Sequence, residues 1–169
     1  MSTEWERGTV MRDAVYFLIF DGFADWQTAL ALYEIRRPCD WRVRVIAQTM
    51  TPVQSASGLR VTPDETLDAL EPAHAALIVL PGGHAWERGR LDYAAHAAQR
   101  VHDAGGTVAA SGSAMLATSH LAGGSRYVCA PEHGGLEFAR GVIAALDLYE
   151  PGDRESWYRL FKHGHPATA

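Results

Sequence analysis

The chain has few of the features that mark a specialised architecture. Two cysteines in 169 residues, Cys39 and Cys129, cannot build the disulfide framework of a small secreted domain, which points to a reduced, cytoplasmic protein. Both thiols are expected to be buried and unpaired, the usual state of free cysteine. No apolar run approaches the roughly 18 residues of a membrane span, the longest being residues 14–20, which is strand length. Residues 1–12 are polar and mixed in charge, without the apolar stretch of a signal peptide. Basic residues are not in excess: 15 Lys and Arg stand against 20 Asp and Glu, a net charge of −5, so a nucleic-acid partner is not expected. There is no Gly-x-Gly-x-x-Gly, no phosphate loop, no His-Glu-x-x-His and no paired-Cys motif, so neither a nucleotide cofactor nor a metal is expected.

What is present is an ordinary globular composition, 47% hydrophobic and 21% charged, long enough for one domain with a sizeable core. We expect that domain over residues 14–164, between a flexible arm (1–13) and a short tail (165–169). Residues 14–20 form a continuous apolar run ended by Asp21-Gly22, the pattern of a strand buried on both faces. Residues 25–35 carry Trp26, Ala29, Leu30, Leu32 and Tyr33 at helical spacing before Pro38. Further strands are expected at 41–47, 59–62, 75–80, 107–110 and 127–130, and further helices at 91–104, 112–121, 136–148 and 153–163. Strands alternating with helices predict an α/β fold, a parallel sheet sandwiched between helices.

In such sheets ligands bind beyond the carboxyl ends of the strands. Three segments place unusual residues there. Ser111-Gly112 joins a strand of small residues directly to a helix, the layout of a nucleophile elbow. Ser111 is thus a candidate nucleophile, or else a helix cap. Pro81-Gly82-Gly83 either exposes backbone N–H groups to a ligand or makes a tight turn. His84 follows it, and His133 lies in the loop before a later helix. Each is a candidate base or a solvated surface histidine. The terminal stretch Trp157-Tyr-Arg-Leu-Phe-Lys-His163 either packs on the sheet or forms an oligomer interface.

Four segments, in order, resemble the ThiJ/PfpI superfamily, with its class I glutamine-amidotransferase-like, flavodoxin-like fold. They are the run from Val15 to Trp26, Ala76-Leu-Ile-Val-Leu-Pro-Gly-Gly83 with Trp86, Thr107-Val-Ala-Ala-Ser-Gly112, and the closing helices from Leu136 to Gly164. The closing helices are similar to those of a bacterial glutamine amidotransferase-like subgroup. The resemblance implies a Cys nucleophile at the elbow and a Glu beside it on the first helix. The matching positions here hold Ser111 (or Ala110, one residue back) and Gln27. A Gln amide donates hydrogen bonds but exchanges no proton. A few dozen residues that such proteins carry after the position of Gly124 have no counterpart.

Three functions follow as expectations. The first is a degenerate site that binds a small molecule or partner. The second is a hydrolase or amidotransferase-like enzyme in which Ser111 attacks a carbonyl, the amides of Gly83 and Gly112 hold the oxyanion, His84 or His133 is the base, and Gly82 and Asp25 line the crevice. The third is a structural or stress-related oligomer. A homodimer is implied by the resemblance.

Overall fold

Five consecutive buried residues, Ala-Val-Tyr-Phe-Leu, make β1 (Ala14–Leu18), the strand through which the rest of the sheet is organised. The protein is described by a computed structural model covering residues 10–164; the expectations for residues 1–9 of the arm and for the 165–169 tail lie outside the described residues. Residue 12 of the expected arm is tied down, its guanidinium donating to the carbonyls of Pro72, Ala75 and Ala104.

β1 is followed by α1 (Asp25–Arg36) and β2 (Arg42–Ala47), then by three two-residue strands, β3 (Val53–Gln54), β4 (Arg60–Val61) and β5 (Glu65–Thr66). The chain continues through β6 (Ala75–Leu80), α2 (His84–Glu87), α3 (Asp92–Asp103), β7 (Thr107–Ser111), α4 (Ala114–Thr118), β8 (Tyr127–Ala130), α5 (Gly135–Ala145) and α6 (Pro151–His163). The main sheet runs β5-β2-β1-β6-β7-β8, and every neighbouring pair in it is parallel. β3 and β4 form a separate antiparallel pair. The expected α/β class is therefore the one observed.

The strand order fixes where a ligand can go. From β1 the chain steps outward to β2 in one direction, and from β6 it steps to β7 in the other. Right-handed crossovers then place α1 and α3 on opposite faces. The reversal between β1 and β6 opens a crevice beyond their carboxyl ends. Side chains such as Leu18, Leu77, Leu80 and Phe138 are wholly buried, and each contributes about 1.5–3 kcal/mol relative to exposure.

Several expectations are corrected. The helix expected over 112–121 is α4 followed by a 3-10 turn at Ser119–Leu121. The strand expected at 59–62 shortens to β4 and stays outside the main sheet. The helix expected to run to residue 148 ends at Ala145, because Asp147 and Tyr149 take left-handed backbone angles, φ 53° and 61°. The thiols are exposed, not buried: Cys39 lies in the turn after α1 at φ 60°, and Cys129 lies on β8, which no further strand covers among the described residues. After Gly124 the chain passes straight into β8, whose four residues pair with Val108–Ser111.

The face α1 buries is not the one its apolar spacing suggests. Trp26 and Tyr33 are exposed, while Gln27, Thr28, Ala31, Glu34 and Ile35 are buried. Glu34 is fully buried and accepts from Tyr149 Oη at 2.5 Å, Trp157 Nε1 at 3.1 Å and Arg37 Nη1 at 3.3 Å. Burial, and then the neighbouring Glu34, push the Tyr149 phenol above its ordinary pKa.

Candidate functional site

The carboxyl ends of β1, β6, β7 and β8 lead into a cleft of about 470 Å³ whose lining includes Gly22, Gln27, Gly83, Gly112, Ser113 and Pro131. Trp26 and Leu116, both exposed, form apolar parts of its mouth, and Glu87 and Glu132 supply carboxylates.

The loop after β6 is held from several sides. Trp86 Nε1 donates to the Pro81 carbonyl at 2.9 Å, with its ring edge-on to Phe20. Gly82 donates to Gln27 Oε1 at 3.0 Å and accepts from the Ala24 N–H at 2.9 Å. A β-carbon on Gly82 would stand 2.6 Å from Gln27 Oε1 and 3.1 Å from the Ser111 carbonyl oxygen, so glycine is required for α1 and the end of β7 to approach this closely. Ser113 Oγ closes the third side, accepting from the Gly83 N–H and donating to the Gly83 carbonyl, each at 2.9 Å.

The end of β7 differs from the sequence expectation by one residue. Ser111 is the last residue of the strand, wholly buried, and the left-handed turn is made by Gly112 at φ 55°. The elbow tip is therefore Gly112, neither Ser111 nor Ala110. Successive strand side chains point to opposite faces, so ending the strand one residue later turns Ser111 away from the crevice. Its hydroxyl is enclosed and has no hydrogen-bond partner among the described residues; it does not cap α4, and Ser111 is not among the residues lining the cleft. The hydroxyl that does line the cleft is that of Ser113, which sequence reasoning passed over although it stands in the same Ala-Ser-Gly-Ser run.

The remaining expected residues are placed as follows. Gln27 is 3% exposed and reaches the cleft floor. The Gly83 N–H is taken by Ser113 Oγ and the Gly112 N–H by the Ala130 carbonyl, 3.0 Å away, so both amides expected to hold an oxyanion already have acceptors. His84 lines the cleft with its ring exposed, Nδ1 lying 3.0 Å from Glu87 Oε2. His133 is exposed in the loop before α5 and is not part of the lining. Asp25 Oδ1 accepts from the Ser57 hydroxyl at 2.8 Å and the Ser57 N–H at 3.3 Å, fastening the 55–58 loop beside the cleft. Among the described residues no three His, Cys, Asp or Glu side chains are grouped to hold a metal ion.

Comparison with known proteins matches this arrangement to one family. The profile of the DJ-1/PfpI family matches residues 13–137. The uncharacterized protease YoaZ of Bacillus subtilis is 25% identical over 197 aligned positions, covering 90% of this chain and 92% of that protein. That alignment is longer than the 169-residue chain, so the relative carries residues that have no counterpart here. A solved DJ-1 superfamily protein from Agrobacterium tumefaciens is 26% identical, with a TM-score of 0.76 over 90% of this chain and 99% of that one. A thiJ/pfpI family protein from Bacillus anthracis, 21% identical, shares the fold with a TM-score of 0.82 over 95% and 94% of the two chains.

Proposed function

Because the chain belongs to the DJ-1/PfpI family, we propose that it uses the family's cleft to bind a small molecule without covalent catalysis. One observation carries this reading: the tip of the elbow is Gly112, which has no side chain to act as a nucleophile. A nucleophile also needs a base within hydrogen-bond reach, and the cleft's one serine hydroxyl, on Ser113, is committed to Gly83 in both directions. Gln27, where the resemblance implies a carboxyl group, has no proton to give or take.

A peptidase activity, as in the printed name of the Bacillus subtilis relative, is the competing reading, and labelling separates the two. A fluorophosphonate probe is expected to leave Ser111 and Ser113 unmodified, as read by mass spectrometry of the intact protein and its peptides. A stoichiometric adduct on either serine, abolished by its substitution with Ala, would overturn the binding reading. We extend the proposal to a homodimer formed through the outer face of α1, where Trp26 and Tyr33 are 51% and 61% exposed. Exposed aromatic side chains are enriched at such interfaces.

A further inference from the structure

Resting on that reading of the cleft, the geometry points to the chemistry of its ligand: an uncharged carbonyl oxygen on an apolar body, held by the side-chain amide of Gln27 where it and Gly112 line the cleft. The orientation of the amide is fixed by its partner. The Gly82 N–H is a donor, so the atom 3.0 Å from it must be Oε1. The amide lies with its face against Gly112, where a β-carbon would stand 3.0 Å from Nε2 and 3.1 Å from Oε1. Gln27 is 97% buried, yet Nε2 has no acceptor among the described residues and Gln27 lines the cleft. Only the hydroxyls of Thr28 and Ser111 are enclosed without a partner among the described residues, so Nε2 opens to the cleft, a donor that no protein acceptor occupies and that a ligand's acceptor can take.

The surroundings select which acceptor. Glu87 and Glu132 line the same cleft, and its one histidine, His84, already faces Glu87. A carboxylate ligand meets two like charges, whereas a neutral carbonyl accepts from Gln27 without that repulsion. Trp26 and Leu116 offer apolar surface for the rest of the ligand.

Benzamide and benzoate, matched in shape and differing in charge, test this on the full chain by titration followed in nitrogen–proton correlation spectra. Benzamide is expected to move the Gly112 amide and Trp26 indole signals and to bind about tenfold or more tighter than benzoate. Gln27→Glu keeps an acceptor for the Gly82 N–H but removes both donors, and is expected to weaken benzamide binding about tenfold in a protein whose correlation spectrum away from the cleft is unchanged. Gly112→Ala, which crowds the amide of Gln27, is expected to weaken it as well. If both probes bind equally, or Gln27→Glu leaves benzamide affinity intact, this inference fails while the cleft still binds small molecules. If neither probe nor any member of a general fragment library moves the Gly112 and Trp26 signals, the inference and the binding reading both fall.

Discussion

At Gly82 a single hydrogen atom decides the shape of the site. Replacing it with a methyl group forces a contact of 2.6 Å with Gln27 Oε1 and one of 3.1 Å with the Ser111 carbonyl, and the carbonyl, being part of β7, cannot move aside. Gly82→Ala is therefore expected to lower stability by about 2 kcal/mol, within the range for overpacking a tight site. Urea unfolding checks this, and an unchanged midpoint would show that the loop after β6 yields freely. The sequence placed this glycine pair at the end of a buried strand, since Pro81-Gly82-Gly83 follows a continuous apolar run, and left a ligand contact and a tight turn both open. It did not disclose which residue turns the corner after β7. Ala109, Ala110 and Ser111 are all small enough for the strand, and Ser111 and Gly112 both suit a turn, so side-chain chemistry leaves the boundary open by one residue. In a two-residue period, one residue is the difference between a hydroxyl in the crevice and a hydroxyl in the core.

Elements with strong apolar runs were legible: β6 and β8 begin and end where their composition says. The two-residue strands β3 and β5 were not, because two residues carry no period. The buried face of α1 was also hidden. Glu34 looks like a solvent-facing polar residue until Tyr149 and Trp157 arrive from elsewhere in the chain. A buried carboxylate that loses a donor cannot recover it from water. Trp157→Phe keeps an aromatic ring but removes the donor to Glu34 and part of a buried side chain, and is expected to cost about 2 kcal/mol. Hydrogen exchange should show the loss first in the amides of α6, the element that Trp157 anchors. Uniform protection in the variant would mean that packing alone, including the Trp157–Phe161 ring contact at 4.9 Å, holds the helix.

For the molecule as a whole, the proposed pairing of two copies is a matter of mass. Light scattering is expected to give twice the 18.4 kDa of the single chain, and Tyr33→Asp, which places a charge on the outer face of α1 away from the cleft lining, is expected to return the monomer. A monomeric wild-type protein at micromolar concentration would refute the pairing. A parallel sheet between helices was foreseen from the alternation of strands and helices, whereas no local pattern could show that the first helix depends on the last. Glu34 precedes Tyr149 by 115 positions and Trp157 by 123. During synthesis α1 leaves the ribosome long before either partner exists, and its carboxylate has to stay in water until they do. Non-local closures of this kind slow folding. The enclosure of Glu34 is therefore complete only after translation has passed residue 157.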